Sequence, residues 1–330
     1  MKRKQFWMLL AAALLGEWLT GCGAYRGGSS MKNANAYYET AHYDLALGEY
    51  NRVLESDPDN AVAYYNRANT HYARGDYDAA LVDYTRAIEV KPKYAKAFNN
   101  RGAVYGDKGN HDLAKSDYAR AIELRPRYAD AFNNLGTVHF TQGQYDQAID
   151  QYNEAIRINS KESLFFANRG RVHGAKGERE KAIADYTQAV SIDPRNVGSL
   201  VSRGKLYAAQ GKYDLAIADY SSAAAVDPAF FQAYYLRGQA YMEQGRLAEA
   251  ITDFTEVTLR NPDYAEALLE KGRACEKSGR VEEAMEAYKT FIDTAPEKYE
   301  QGIRLARIRF GQLSKELDEI RAIERDGTGR

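Results

Sequence analysis

The seven prolines of this 330-residue chain constrain its fold more than any other feature. They lie at positions 58, 92, 126, 194, 228, 262 and 296. Successive gaps are 34 residues except for one of 68, and Ser160 occupies the position that this longer gap leaves without a proline. A chain that repeats at this period folds as stacked copies of one small unit. We number each repeat from position 1, with Ala61 at position 1, so that every proline falls at position 32.

Each repeat has the pattern of two amphipathic helices. The first has a large residue at position 4, a small one at position 8 and often an aromatic at position 11, spacings that place all three on one face. The second has alanine at position 20 and tyrosine or phenylalanine at position 24. Glycine at position 15, from Gly75 to Gly279, suits the left-handed residue that ends a helix, and the proline cannot continue one.

These positions resemble the tetratricopeptide repeat over about four-fifths of the chain. The resemblance implies an all-α fold, a right-handed superhelical solenoid of tandem 34-residue helix-turn-helix repeats. We predict a partial N-terminal repeat at 32–60, a C-terminal capping helix at 299–325 and a disordered tail at 326–330. The seven complete repeats are predicted at 61–94, 95–128, 129–162, 163–196, 197–230, 231–264 and 265–298.

The predicted C-terminal helix has one apolar face, because its apolar residues step by three and four. A terminal helix that covers the last repeat keeps a solenoid soluble. The alternative is a short coiled-coil segment for dimerisation. The residues of this face are Ile303, Ala306, Phe310, Leu313, Leu317 and Ile320.

The start of the chain has the pattern of a secretion signal. Positive residues at 2–4 precede an apolar run at 6–16, which is too short to span a bilayer comfortably. Leu19-Thr20-Gly21-Cys22 then resembles the lipobox of bacterial lipoproteins. The alternative is a chance match or a buried structural cysteine.

The lipobox resemblance implies a lipoprotein signal peptide at 1–21 that is removed, and a lipid on Cys22. Residues 22–31 would then be the lipidated cysteine and a flexible tether, because glycine and serine dominate this stretch. Gly23 follows the cysteine, where aspartate would favour retention in the inner membrane. The expected location is therefore the bacterial cell envelope, on the periplasmic face of the outer membrane if the cell is Gram-negative.

Position 7 departs from the family pattern, which usually has leucine there. Five repeats have arginine at position 7, and each of those five has aspartate at position 23. The repeat with Leu135 has Gln151 instead, and the repeat with Lys271 has Ala287. This covariation predicts a partly buried ion pair between the two helices of a repeat; the alternative is two solvated faces. The predicted pairs are Arg67–Asp83, Arg101–Asp117, Arg169–Asp185, Arg203–Asp219 and Arg237–Asp253.

Neither composition nor motifs indicate an enzyme. The 45 basic and 46 acidic residues nearly cancel, which excludes a strongly basic nucleic-acid binder, and two cysteines cannot form a disulfide framework. The sequence has no phosphate loop, dinucleotide fingerprint, nucleophile elbow or zinc-protease motif. His71, His139, His173 and Cys275 all fall at position 11, and we interpret them as core residues. We therefore predict no catalytic residues, metal, cofactor or small-molecule substrate.

The family resemblance implies a concave groove lined by positions 2, 5, 6, 9, 12 and 13 of successive first helices. Position 6 is asparagine in four consecutive repeats, and an amide pairs with a peptide backbone whatever its sequence. The alternative is that these amides bond neighbouring repeats or water. Basic residues at position 9 favour an acidic segment further along. The candidates are Tyr65, Asn66, Asn69, Tyr72, Asn99, Asn100, Asn133, Asn134, Phe140, Asn168, Arg171 and Lys205.

These features predict a lipid-anchored adaptor that binds a protein or extended peptide in its groove, for example in assembly of an envelope machine. The family's two-carboxylate clamp is not expected, because it needs lysine at position 5 of the first repeat, where this chain has Tyr65. A structural scaffold that self-associates at the membrane is the alternative. An enzyme or glycan-binding protein is a weaker third class.

Overall fold

The computed structural model describes residues 29–327, and within that range every regular element is a helix. The first described helix, α1, covers residues 29–39. The other helices are α2 (Tyr43–Ser56), α3 (Ala61–Arg74), α4 (Tyr77–Val90), α5 (Ala95–Asp107), α6 (His111–Leu124), α7 (Ala129–Thr141), α8 (Tyr145–Ile158), α9 (Ser163–Ala175), α10 (Arg179–Ile192), α11 (Val197–Ala209), α12 (Tyr213–Val226), α13 (Phe231–Glu243), α14 (Leu247–Arg260), α15 (Ala265–Lys277), α16 (Val281–Thr294) and α17 (Glu300–Gly327). A short 3-10 turn at Glu297–Tyr299 precedes α17. The predicted all-α fold of tandem helix pairs is confirmed for the described residues.

The described residues divide into two compact units at residue 160, and we call 29–160 the first unit and 161–327 the second unit. In the first unit, α3 packs on α4, α5 on α6 and α7 on α8, and each pair also packs on the next. In the second unit the pairs are α9–α10, α11–α12, α13–α14 and α15–α16, and α17 packs on α16. Odd-numbered helices from α3 to α15 are therefore the first helices of the repeats.

Close approach between the two helices of a repeat depends on small residues beside a buried ring. The position-20 alanines are fully buried, and so are nearly all of the position-24 rings. At Gly204, a position-8 glycine, an added Cβ would lie only 2.6 Å from Cε1 of Tyr220. Because that ring is itself buried and packed, the glycine cannot carry a side chain without displacing it.

The turn inside each complete repeat uses a left-handed residue, as predicted. Gly75 has φ of 85°, and position 15 of the other complete repeats is also glycine with positive φ. Ala41 holds the same place between α1 and α2, with φ of 58°. Since a Cβ crowds the following carbonyl in this conformation, Ala41 carries strain that glycine would not.

A bidentate arginine–aspartate pair joins the two helices of five repeats. Arg67 donates from Nε to Oδ2 of Asp83 over 2.7 Å and from Nη2 to Oδ1 over 2.6 Å, and Asp83 is buried. The hydrogen bonds with Asp83 raise the pKa of Arg67. The structure forms the same two-pronged contact in Arg101–Asp117, Arg169–Asp185, Arg203–Asp219 and Arg237–Asp253.

The same arginines also reach the preceding repeat, which the sequence analysis did not predict. Nη1 of Arg67 donates to Oδ1 of Asn51 over 2.6 Å. The equivalent nitrogen of Arg237 donates to Oγ of Ser221 over 3.1 Å. Each of these guanidinium groups therefore holds its own two helices together and ties them to position 25 of the repeat before. Further contacts of this kind are Arg101–Thr85 and Arg203–Thr187.

The helix ends differ from the predicted boundaries at both termini. Residues 29–31, predicted as tether, are helical, because Met31 packs against the core around Ala46 and Tyr50 and gives α1 a reason to begin earlier. Residues 326–327, predicted as disordered tail, continue α17. The signal peptide, Cys22 and the tether up to residue 28 lie outside the described residues.

Helix α17 covers the last repeat through only part of its predicted apolar face. Ala306 and Leu313 are buried in a cluster with Tyr288 and Phe291. Ile320, further along the same face, is exposed. None of the described helices is long and apolar enough to cross a membrane.

Candidate functional site

The position-6 asparagines of the first unit bind the repeat before them. Asn100 donates from Nδ2 to the hydroxyl oxygen of Tyr65 over 3.0 Å and to Oδ1 of Asn69 over 2.9 Å. Asn66 donates to Oδ1 of Asn35 over 3.1 Å. The expectation of amides free in an open groove is therefore corrected in favour of the alternative, in which they brace neighbouring repeats.

The position-5 asparagines are even less accessible. Asn99 and Asn133 are each only 5% exposed. Asn99 accepts a hydrogen bond at Oδ1 from Nδ2 of Asn134 over 3.1 Å and donates to Oδ1 of Asn100 over 3.0 Å. Stacking of the first helices removes these amides from water, so each has to find a partner inside the protein. Asn99 and Asn133 are thus not groove residues, and Asn168 of the second unit is half-buried.

A cavity of about 300 Å³ opens between α3, α5 and α7 of the first unit. Tyr72 and Asn134, two of the predicted candidates, line it, together with Asp107 and Tyr118. The hydroxyl of Tyr72 donates to Oδ2 of Asp107 over 2.6 Å. Burial, and then Asp107, raise the pKa of Tyr72, so this hydroxyl stays protonated. Phe140 does not line the cavity; its ring packs against Tyr145 with centroids 5.8 Å apart.

A larger cavity of about 710 Å³ lies between α11, α13 and α15 of the second unit. Its wall is charged: it contains the candidate Lys205 together with Glu270, Arg273 and Lys277. Arg273 donates to Oε1 of Glu270 over 2.7 Å. Lys205 and Lys277 form no ion pair with a described residue. Arg171, predicted for this groove, is exposed and does not line the cavity.

Several groove residues were absent from the predicted set although their repeat positions indicate them. Glu270 stands at position 6, where the first unit has asparagine, and Lys277 and Glu243 stand at position 13. Asp107 is also at position 13. Scoring position 13 for charge, in addition to position 6 for amides, would have found them.

The histidines at position 11 join the two helices of a repeat. Nδ1 of His173 lies 2.7 Å from Oε2 of Glu178, at the start of α10, and Nε2 lies 3.8 Å from Oδ2 of Asp185. Lys181 first, and His173 next, lower the pKa of Glu178 to about 2. His139 contacts Gln144 in the equivalent way. These contacts place the histidines in the framework of the repeats.

Cys275 and the acidic residues show no arrangement for catalysis or metal binding. Cys275 is fully buried, and burial raises the pKa of its thiol, so it is not a thiolate. No group of three or more histidine, cysteine, aspartate or glutamate residues within 29–327 could hold a metal ion.

Comparison with protein families covers most of the chain. Models described as tetratricopeptide repeat match residues 49–82, 94–161 and 235–298. A model described as TPR repeat matches 68–109, 170–211 and 204–245. The chain belongs to the tetratricopeptide repeat (TPR) family. TPR proteins generally mediate protein–protein interactions, and their fold is a scaffold for binding rather than for catalysis.

Solved structures confirm the fold of this TPR protein. A tetratricopeptide repeat protein from Parabacteroides merdae is 18% identical, with a TM-score of 0.55, and the match covers 76% of this chain and 99% of that one. The C-terminal part of a TPR repeat-containing protein from Cytophaga hutchinsonii is 19% identical, with a TM-score of 0.55 and coverage of 73% and 98%. The APC/C hetero-tetramer Cut9–Hcn1 is 15% identical, with a TM-score of 0.54 and coverage of 84% and 55%. No curated protein matches the sequence.

Proposed function

We propose that this TPR protein is a lipid-anchored adaptor of the bacterial cell envelope that binds an extended segment of a partner protein along its first helices. One observation carries the binding part of this proposal. Each unit has a cavity bordered by the first helices of three successive repeats, α3, α5 and α7 in the first and α11, α13 and α15 in the second. An extended peptide is the ligand whose shape fits contacts spread over several repeats.

The charged wall of the second unit supplies the more specific contact. Lys205 and Lys277 line the cavity and form no ion pair with any described residue. An acidic segment of the partner would therefore supply the negative charges that pair with them. We therefore expect the partner to place aspartate or glutamate beside α11 and α15.

Partner capture tests this contact. The full chain, isolated with its membranes and cross-linked, should retain a partner that the double variant Lys205→Glu/Lys277→Glu loses. The control is Lys212→Glu/Lys289→Glu, which makes the same charge change at exposed lysines outside the cavity. Equal capture by both double variants would contradict the proposed binding site.

The anchor is supported by the lipobox residues Leu19-Thr20-Gly21-Cys22, and the chain provides its own control because it has only two cysteines. Cells fed an alkyne-bearing palmitate should label the wild-type chain and Cys275→Ser but not Cys22→Ser. One acyl chain holds a protein at a membrane only reversibly, so firm anchoring requires more than one. If the Cys22→Ser chain is still labelled, lipidation at Cys22 is contradicted.

Self-association is the second candidate function, and exposed residues of α17 favour it. Ile320 and Ile323 are 48% and 72% exposed near the end of that helix. If two copies pair through this end, light scattering on the Cys22→Ser chain should give a stable oligomer that Ile320→Glu/Ile323→Glu converts to a monomer. A monomer before substitution would contradict the scaffold.

A further inference from the structure

The second complete repeat differs from both neighbours at two groove positions. Position 9 is asparagine in the repeat before and threonine in the repeat after, but Ala103 here. Position 12 is Tyr72 before and Phe140 after, but Gly106 here. Both changes remove side-chain volume at the same place in the groove, and both small residues line the cavity of the first unit.

In the neighbouring repeats, the position-9 side chain is the partner of the position-24 tyrosine. The hydroxyl of Tyr84 donates to Oδ1 of Asn69 over 2.6 Å, and that of Tyr152 lies 3.1 Å from Oγ1 of Thr137. Ala103 cannot make this contact. The hydroxyl of Tyr118 accordingly has no hydrogen bond to any residue of the described chain, and Tyr118 lines the cavity.

The cavity also has an uncompensated negative charge. Asp107 lines it and forms no ion pair with a described residue, and the adjacent Lys108 pairs with Asp78. The hydrogen bond from Tyr72 fixes Asp107 in place. Among the described residues, no lysine or arginine borders the cavity. His111 borders it too, and its buried Nδ1 has no hydrogen-bond partner within the described chain.

We propose that this cavity binds a basic side chain, lysine or arginine, of the partner polypeptide, an inference that rests on the proposed peptide-binding function. The Asp107 carboxylate accepts charge-assisted hydrogen bonds from an ammonium or guanidinium group. The Tyr118 hydroxyl oxygen accepts a further hydrogen bond. An acidic side chain would be repelled by the Asp107 carboxylate, and an apolar one would leave the Tyr118 hydroxyl without a partner.

A pair of small probes tests the charge requirement directly. Nα-acetyl-arginine methylamide should bind the full chain about tenfold more tightly than the citrulline analogue, which has the same shape and no charge. NMR titration or calorimetry measures both. Asp107→Asn should abolish the difference while keeping an acceptor for Tyr72, and Asp112→Asn, an exposed aspartate outside the cavity, should preserve it.

Filling the cavity provides the second arm. Ala103→Asn and Gly106→Phe give this repeat the kinds of side chain that its neighbours carry. Gly106 has room for a Cβ, which would meet only the hydroxyl oxygen of Tyr118, at 3.9 Å. Both variants should fold, as judged by melting temperature, and both should lose preference for the arginine probe.

The inference is overturned if the two probes bind equally, if neither binds, or if Asp107→Asn keeps the preference. It is also overturned if capture of the partner from membranes is unchanged in Asp107→Asn, a result that leaves the adaptor function intact. Failure of the wild-type chain to capture any partner would instead contradict the proposed function. The binding of the two probes would still test the cavity independently of that result.

Discussion

In the first unit, asparagines at positions 6 and 9 of the first helices hold neighbouring repeats together, whereas in the second unit some of the equivalent positions carry charges. Position 6 is Asn100 in the first unit, bonded to the repeat before, and Glu270 in the second, paired with Arg273 on its own helix. Position 9 is Asn69 in the first unit and Lys205 in the second. At these positions one backbone framework thus provides cohesion between repeats in the first unit and, in our proposal, charges for partner binding in the second.

The difference between the units concerns the groove positions. Both units have the same arginine–aspartate pairs between the two helices of a repeat. Arg203→Leu should leave the buried Asp219 without its partner and lower the free energy of unfolding by about 3 kcal/mol. Arg101→Leu in the first unit should cost a similar amount. Urea denaturation checks both, and a loss below about 0.5 kcal/mol would show that the pairs act as solvated surface contacts.

The third complete repeat supplies the control for that prediction. It has Leu135 and Gln151 in place of the pair, and Leu135 packs beside Ala114 and Tyr118. Arg203→Leu combined with Asp219→Gln should therefore recover most of the stability that Arg203→Leu loses, since no buried charge remains. A double variant no more stable than the single one would contradict the charge explanation.

The ring contacts between helices should respond differently to substitution at position 8 in the two units. Gly204→Ala places a Cβ against Tyr220 and should destabilise the protein by about 2 kcal/mol, as overpacking does. The first unit already has Ala68 at this position, so Ala68→Gly should cost only about 1 kcal/mol, through helix propensity. Thermal melts of the two variants measure the asymmetry; a harmless Gly204→Ala would mean that the Tyr220 ring can move.

The smallest effect is expected at the start of the first unit. Ala41 adopts the left-handed conformation that glycine adopts in the complete repeats, so Ala41→Gly should relieve strain. The gain is about 0.5 kcal/mol, because glycine also increases the entropy of the unfolded chain. Hydrogen exchange of α1 and α2 reports it locally. Faster exchange in the variant would contradict the strain.

The helix pairs and the arginine–aspartate contacts could be predicted from the sequence, because both follow from a strict period. Positions 7 and 23 covary between repeats, so the repeats of a single chain can be compared with one another as homologous sequences would be. The asparagine partners could not be predicted in this way. The side chain of Asn100 points either into the groove or towards Tyr65, depending on how α5 is rotated against α3. The spacing of residues in the sequence does not determine that rotation.

The cavity of the first unit follows from two residues that depart from the repeat pattern by being small. Ala103 and Gly106 stand where the neighbouring repeats have larger side chains, and the absence of a side chain is not itself a chemical motif. The start of α1 was missed for another reason: Met31 lies in a glycine- and serine-rich context, and its burial depends on the contact with Ala46.

The comparison between the units is tested most directly by two double variants measured in two ways. Asn100→Ala/Asn134→Ala should lower the free energy of unfolding by about 2 kcal/mol, because Oδ1 of Asn69 and of Asn99 each lose a donor. Lys205→Ala/Lys277→Ala should leave stability within about 0.5 kcal/mol and weaken partner binding about tenfold. The reverse outcome, a stable asparagine variant that no longer binds together with a lysine variant that unfolds early, would contradict the division between cohesion and recognition.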